Sequence, residues 1–536
     1  MRILTAFGGH DASATIVNDG KVEFYFKEER YNRKKHSLGV DSIFKVLLEQ
    51  NLLEDIDFAA IVSFDSQEVM DQRRLLLRTY SPNIKFVSTE RQHHLFHASN
   101  AFYNSGFDKA ITIAIDSAGA YLDEDTFESE SVYIAEYPNK FTPVLKQYWT
   151  SRKRNIVKER DNCKYICKYI NDRINIGNLY NSAALSIGQT VDDCGKAMGL
   201  SSYGSSIPWM DLSGSDAKHH IKRYFENYPD ILWALSENEQ IKTFILEITE
   251  QNYKFFADYC CEVQKQCQDE VIEIVNTYVE QTGIKKVCLS GGYAMNIVTN
   301  YELVKRFPDV QFYFEPICDD SGISIGAAMN IYRNVTKDKK IYPIQTTSYH
   351  GILHDVTQYI GDTVEVKDIA SILYHNKSVG VFCGHAEAGQ RALGNRSILF
   401  NALNSNAREI VNQIKKREWY RPFAAMVLEE DVHLYFDCSV PSPFMTLCFP
   451  VKSGIIPGVT HVDGTCRVQT VSSGHMYDVL QEFKKLSGHG ILLNTSFNLA
   501  GHPLVETPDE AFSTLNSSSL EYLWFYETKQ LFKSTF

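Results

Sequence analysis

The sequence predicts a layered α/β protein in two parts, the first of which is built from two related halves. Three observations predict it. The chain has 536 residues, too many for one hydrophobic core, so two or three domains are expected. A strand, a turn of small and acidic residues and a hairpin partner occur twice, starting at Arg2 and again at Lys109. Ile341–Ser348 contains a proline among polar residues and reads as a crossing, dividing 1–345 from 346–536.

Taken in order, Arg2–Gly8 is a buried strand ending in the turn Gly8-Gly9-His10-Asp11-Ala12-Ser13-Ala14. A hairpin follows, Ala14–Val17 and Val22–Lys27 around Asn18-Asp19-Gly20. The charged run Glu28–His36 has the composition of a solvated face. A helix at Asp41–Gln50 and a strand at Phe58–Phe64 complete the unit. Thr89 and Gln92 have capping-box spacing, which opens a helix at about Glu90 and buries Leu95, Ala98 and Phe102. His93 and His97 then project from one face. They either share a metal ion or form hydrogen bonds at a crevice.

The opening pattern returns with the strand Lys109–Ile115, the turn Asp116-Ser117-Ala118-Gly119-Ala120 and the partner Ser131–Glu136. Ligands of layered α/β proteins sit where strand ends and turns converge, so His10, Asp11 and Asp116 are expected to meet. Gly177–Ser182 leads into a helix, and Gly195–Gly204 is glycine-rich without being a P-loop. A helical pattern from about Glu237 to Thr282 stops at Gly283. Next come the strand Lys286–Ser290 and Gly291-Gly292, leading to a helix near Ala294. Such a turn admits a phosphate or ribose to backbone N–H groups, although most merely reverse the chain. After the strand Gln311–Glu315, Asp319-Asp320-Ser321-Gly322 opens another helix, with Asp320 either its N-cap or a ligand.

The second part resumes with the strand Ser378–Cys383, the glycine-rich Gly384–Ser397 and a helix at Ala407–Lys415. Three further segments carry polar chemistry: Lys415–Phe423, Thr460–Gln469 and Ile491–Asn498. Arg391, Arg396, Lys415, Arg421 and Arg467 would be a large charge to leave unpaired inside a domain, which points to a polyanion such as a phosphorylated small molecule. His93, His97 and the aspartates supply nitrogen and hard oxygen donors without thiolate, a set suited to Fe(II), Zn or Mn with an open position.

Composition narrows the setting. Twelve cysteines form no CxxC pair and no framework, as in a reducing compartment, and Cys163/Cys167 and Cys260-Cys261…Cys267 sit in helix-like sequence. No apolar run reaches membrane-spanning length, and the N-terminus lacks the features of a signal peptide, so a cytoplasmic protein is expected. A net charge of −12 disfavours general nucleic-acid binding.

Ten motifs in order resemble the O-carbamoyltransferases of the NodU/CmcH type. They are GGHDASA at 8–14, HHLFHA at 93–98, IDSAG at 115–119, GKAMGLSSYG at 195–204, LSGGYAMN at 289–296, CDDSG at 318–322, GQRALGNRSI at 389–398, KKREWYRPFA at 415–424, THVDGTCRVQ at 460–469 and LLNTSFN at 492–498. The resemblance implies an N-terminal ASKHA-type domain (the duplicated actin/Hsp70-like architecture) and a C-terminal YrdC-like domain. It further implies that carbamoyl phosphate and ATP give carbamoyl-adenylate in the second domain. The first domain then passes the carbamoyl group to a hydroxyl of a small acceptor such as an antibiotic, toxin or glycan precursor. On this resemblance His93, His97, Asp116 and Asp320 hold the metal, iron in the family, with Mg2+ expected beside ATP. His10 is the general base with Asp11 as its neighbour, and Lys35, Gly291, Gly292 and Asn296 hold the adenylate. Arg391, Lys415, Arg421, Arg467, Asn494 and Asn498 bind carbamoyl phosphate and ATP. A homodimer is among the assemblies this allows. The competing readings are a tRNA threonylcarbamoyltransferase-like fusion and a non-catalytic metal- or nucleotide-binding module.

Overall fold

Two sheets of the same topology flank a pair of packed helices. The structure, a computed structural model, describes residues 1–62, 67–150, 166–170, 174–207, 248–249, 252–342, 349–438, 440–452 and 454–534. The first sheet contains β1 (Arg2–Phe7), β2 (Ser13–Asn18), β3 (Lys21–Lys27), β4 (Phe58–Val62) and β5 (Lys85–Phe86), in the order β3-β2-β1-β4-β5. β1 to β3 are antiparallel, whereas β4 joins β1, and β5 joins β4, in parallel. The β2–β3 turn places Asp19 and Gly20 at positive φ, which matches the twist of the flanking strands.

The second sheet contains β6 (Lys109–Ile115), β7 (Tyr121–Asp123), β8 (Thr126–Glu136), β9 (Lys140–Thr150), β10 (Ile166–Ile170), β11 (Lys286–Ser290) and β12 (Gln311–Phe314). Its order is β10-β9-β8-β6-β11-β12, with β7 beside β8. The run β9-β8-β6-β11-β12 therefore repeats β3-β2-β1-β4-β5, with antiparallel and parallel neighbours in the same places. This duplication is the expected ASKHA-type architecture. Helix Ile323–Thr336 lies on β1 and β2, helix His93–Asn104 lies on β6 and β11, and the two helices pack on each other. Helices Ile176–Ser186, Cys194–Ser201 and Tyr253–Thr282 add their apolar residues to the core of the second sheet.

The remaining sheet contains β13 (Asp362–Thr363), β14 (Val379–Phe382), β15 (Arg396–Phe400), β16 (Ala424–Leu428), β17 (Cys448–Pro450), β18 (Thr465–Val471), β19 (Ile491–Ser496), β20 (Tyr522–Phe525) and β21 (Gln530–Lys533). Their order is β13-β21-β20-β14-β15-β19-β16-β18-β17. Helices Val366–Tyr374 and His475–Ser487 contribute to one apolar cluster of this sheet, and Ala407–Lys415 and Pro508–Asn516 to another. The three sheets are not independent. One apolar cluster runs from Leu200 and Tyr259 to Phe423, Phe449 and Val468.

Several local expectations are corrected. The histidine helix begins at His93, not Glu90, because Arg91 sits at positive φ and Gln92 precedes the first helical residue. The charged run is a solvated face only in part: Glu28, Glu29 and Arg30 are buried, whereas Lys34 and Lys35 are exposed. The Glu28 carboxylate accepts from the N–H groups of Ser42 and Ile43, at the start of helix Asp41–Glu49. Cys167 lies in a strand, β10, and Cys163 lies outside the described residues. The turn after Gly291 is a 3-10 segment, and the helix itself starts at Ile297. Residues 63–64, 237–247 and 343–348, the ends of three expected segments, also lie outside the described residues.

Candidate metal centre and cation pocket

Four expected ligands converge where the duplicated halves meet. His93 and His97 come from the first turns of helix His93–Asn104, Asp116 follows β6, and Asp320 lies in the 3-10 turn before helix Ile323–Thr336. The two Nε2 atoms are 3.2 Å apart. Asp116 Oδ2 lies 3.4 Å from His93 Nε2 and 3.3 Å from His97 Nε2, and Asp320 Oδ1 lies 3.4 Å from each. Donors bonded to one ion at about 2.0–2.2 Å stand about 3.0–3.5 Å from each other, so this set fits a divalent metal. Two imidazoles and two carboxylates also have the donor chemistry for it.

Glycines permit this convergence. A Cβ at Gly177 would fall 2.5 Å from the Asp116 carbonyl carbon, and one at Gly291, whose φ is +85°, would fall 2.2 Å from Ile115 O. One at Gly326 would fall 1.9 Å from Phe96 O, so the two helices bearing the site touch backbone to backbone. Beside the ligands, His94 Nδ1 is 2.8 Å from Ser131 Oγ, and burial pushes its imidazole down to about 3.

His10 and Asp11 form a second cluster with groups that sequence reading missed. His10 Nδ1 is 3.0 Å from Asp11 Oδ2 and its Nε2 is 2.8 Å from Asp192 Oδ1. His36 Nδ1 lies 3.1 Å from both Asp11 oxygens, and its ring stacks on His10 at 5.0 Å. The buried Lys27 ammonium stands 3.4 Å from Asp11, 3.6 Å from Glu29 and 3.7 Å from Asp319. Burial alone would lower His10, but its close carboxylate neighbours Asp11 and Asp192 prevail and push it up to about 11. Burial would raise Asp11, yet Lys27 and the two imidazoles hold it well below the usual carboxylate range. Lys27 was legible in retrospect, since it shares the buried face of β3 with Tyr25. Asp192 gave no such signal.

The cations of the second part gather on the side facing this centre. Lys415 is buried and bonds Ser496 O, Ser496 Oγ at 3.0 Å and Asn498 Oδ1 at 2.5 Å. Burial holds its ammonium well below the usual lysine range, and Arg417, Arg421 and Lys35 add repulsion. Arg467 is lowered by burial and then by Arg391 and Arg421, and its Nε has no hydrogen-bond partner among the described residues. Gly389, two residues before Arg391, packs so closely on Pro316 that a Cβ there would fall 2.9 Å from its carbonyl oxygen, and Arg391 interacts electrostatically with Arg421 and Cys318. Gln390 Nε2 also bonds Asp319 across the same boundary. Lys35, from the first part, interacts with Arg421, Lys196 and Asp193. These cations repel one another, and Arg421 meets the Glu418 carboxylate at 3.3 Å.

Three expected residues and one missed residue are used differently. Arg396 is not a pocket cation: it donates to Cys383 O at 2.7 Å and Gly384 O at 3.1 Å and lies 3.5 Å over the Phe382 ring. Asn296 caps helix Ile297–Arg306 through Thr299 N and exchanges an amide hydrogen bond with Gln264, so both ends of its side chain are engaged within the protein. Asn494 donates to Ala392 O and Gln469 Oε1, leaving its buried Oδ1 unpartnered among the described residues. Arg417, not expected, stacks 3.9 Å over Phe423 and donates to Pro422 O at 2.9 Å, which fixes the turn that carries Arg421.

A duplicated α/β domain with a candidate four-donor metal site, joined to a cluster of cations, defines a two-part α/β protein with a polyanion-sized positive pocket. Comparison with known proteins narrows it. The family model for the carbamoyltransferase N-terminus matches residues 76–329, and that for the carbamoyltransferase C-terminus matches residues 370–530. Nodulation protein NolNO of Sinorhizobium fredii is 30% identical over 96% of this chain and 78% of its own length. Nodulation protein U of Bradyrhizobium diazoefficiens is 24% identical over 98% and 96%. A structure of full-length HypF in its phosphate- and nucleotide-bound form has a TM-score of 0.39 and 14% identity over 62% of this chain and 56% of that one. The chain belongs to the NodU-type carbamoyltransferase family and is a carbamoyltransferase.

Proposed function

We propose that this carbamoyltransferase is ATP-dependent and works in two stages, through carbamoyl-adenylate, on a hydroxyl of a small hydroxylated metabolite. The observation that carries the reading is the cluster of Arg391, Lys415, Arg417, Arg421, Arg467 and Lys35, whose mutual repulsion a bound polyanion relieves. Carbamoyl phosphate and ATP supply that charge, with Mg2+ beside the nucleotide. Arg421 and Arg467 offer planar forks to phosphate oxygens, and Lys415 is held by Ser496 and Asn498 as a point charge. Water first cleaves carbamoyl phosphate there to carbamate and phosphate. A carbamate oxygen then bonds to the α-phosphorus of ATP, and the bond from that phosphorus to the bridging oxygen breaks to release pyrophosphate and leave carbamoyl-adenylate. The activation is needed because a carbamate is a poor acyl donor, while its anhydride with AMP has a good leaving group.

Lys35 and the backbone of Gly291-Gly292 receive the adenylate in the first part, and Asn296 serves there only if a ligand displaces Gln264. His93, His97, Asp116 and Asp320 hold the metal, with iron the choice the family suggests. When bound, such an ion supplies Lewis acidity and a seat for phosphate or carbonyl oxygen. His10 faces the acceptor hydroxyl and Asp11 orients it. The boundary falls near 345/346, between a metal-bearing transfer part and a YrdC-like adenylate-forming part. Keeping the intermediate between abutting sites protects it from water.

Incubating the protein with ATP and labelled carbamoyl phosphate tests this reading. Pyrophosphate release without an acceptor, and labelled product once a hydroxylated acceptor is added, are expected. A requirement for threonine and bicarbonate, or nucleotide binding without turnover, would replace it by one of the two competing readings.

A further inference from the structure

His10 is held from both sides, and one of its two holders has no assigned role. Asp192 lies in the 3-10 turn Val191–Asp193 between helices Ile176–Ser186 and Cys194–Ser201, 182 positions from His10, yet places its carboxylate 2.8 Å from Nε2. Its neighbour Asp193 turns away to Lys196 at 3.3 Å, and Lys196 bridges to Glu418 of the cation pocket at 3.0 Å. The turn is thereby tied to the second part of the chain, while Asp192 alone reaches into the transfer centre. The other groups facing His10 are Asp11 at Nδ1 and His36 on its ring face, with Lys27 behind Asp11. His10 keeps 43% of its side chain exposed, but Nε2 itself is buried against Asp192 without hydrogen-bond geometry, so an acceptor reaches that nitrogen only as the Asp192 carboxylate moves aside.

We propose that Asp192 is a positioning residue of the transfer step, clamping His10 at Nε2 and yielding that nitrogen to the acceptor hydroxyl. This rests on the reading of His10 as the base toward that hydroxyl. At rest the bracket Asp11–His10–Asp192 holds an imidazolium, which cannot accept a proton. As the acceptor enters, the Nε2 proton passes to Asp192 and on to water, and the neutral nitrogen receives the hydroxyl proton. The acceptor oxygen bonds to the carbamoyl carbon, and the bond from that carbon to the phosphate oxygen breaks. AMP leaves with the electron pair, and His10 carries the proton away. Asp192 thus sets the pH at which the base becomes available.

The test is the pH profile of carbamoyl transfer in Asp192→Asn and Asp192→Glu, with pyrophosphate release measured alongside. Losing the carboxylate leaves His10 with Asp11 alone, so the rising limb of Asp192→Asn should move to lower pH by at least one unit. Asp192→Glu should keep the wild-type limb, and pyrophosphate release should stay at the wild-type rate in both. A limb unmoved in Asp192→Asn, with the wild type still making product, overturns the proposal while leaving the two-stage reading intact; a wild type that makes no carbamoylated product defeats that reading instead. As a check independent of any folded variant, the His10 resonance of histidine-labelled wild-type protein should show no titration up to pH 9. Titration near 6.5 would also overturn the clamp.

Discussion

At the scale of single residues, a side chain's neighbours, more than its type, decide its use. Arg391 and Arg396 sit five positions apart in one glycine-rich stretch, yet Arg396 binds backbone carbonyls and Arg391 joins the cation cluster. Nothing in their spacing separates the two, because the difference lies in which loops fold back over them. The shared face of His93 and His97 was legible from their four-residue helical spacing, whereas the addition of Asp116 and Asp320 to them came from the family resemblance, because those two turns lie far apart in the chain. Glu315 shows a buried carboxylate with a measurable signature. It accepts from Ile317 N at 3.0 Å, Asn104 at 3.2 Å and Tyr313 at 3.3 Å, and burial still pushes it up to about 7. The folded protein therefore keeps a proton that the unfolded chain releases near its ordinary value of 4.5, so stability falls as pH rises from about 4.5 to about 7. The loss should be on the order of 3 kcal/mol. Urea unfolding of wild type and Glu315→Gln at pH 5 and pH 8 should show the variant gaining on the wild type by about that amount. A difference independent of pH would contradict the assignment.

At the scale of elements, periodicity placed most of the strands and helices it named within a residue or two, and Lys109–Ile115, Lys286–Ser290 and Ala407–Lys415 fell as read, but it passed over others such as Gln67–Tyr80 and His475–Ser487. The failures came where tertiary contacts override local chemistry. Thr89 and Gln92 have the spacing of a cap, but the left-handed Arg91 delays the helix to His93. The charged run reads as solvated because its partners lie far away: Arg33 donates to Pro503 O at 3.1 Å and Leu504 O at 3.0 Å, and Arg30 donates to Glu387 O at 3.2 Å. Packing of helix His93–Asn104 against Ile323–Thr336 depends on Gly326, where a methyl group would meet Phe96 O. Gly326→Ala should cost about 1–3 kcal/mol by forcing the helices apart. Because one helix carries both histidines and the other follows Asp320, metal affinity should fall with it, as titration calorimetry would show. Unchanged stability and unchanged affinity would contradict this packing.

At the scale of the whole molecule, the doubled strand-and-turn pattern revealed two related halves, since each β1-β2-β3 and β6-β8-β9 meander is local in sequence. The last sheet was not legible in the same way. Its centre pairs β15 with β19 and β16 with both β18 and β19, contacts that join segments far apart in the chain. The apolar cluster crossing from Tyr259 to Phe423 joins the two parts in one core. The proposed function divides the labour between the two parts, with activation at the cations and transfer at the candidate metal site. The most direct test compares Arg421→Ala and His97→Ala in metal content and in pyrophosphate release from ATP with carbamoyl phosphate. Arg421→Ala should keep its metal and lose release at least a hundredfold, whereas His97→Ala should lose metal and keep release within about twofold. Equal loss of pyrophosphate release in both variants would contradict the division.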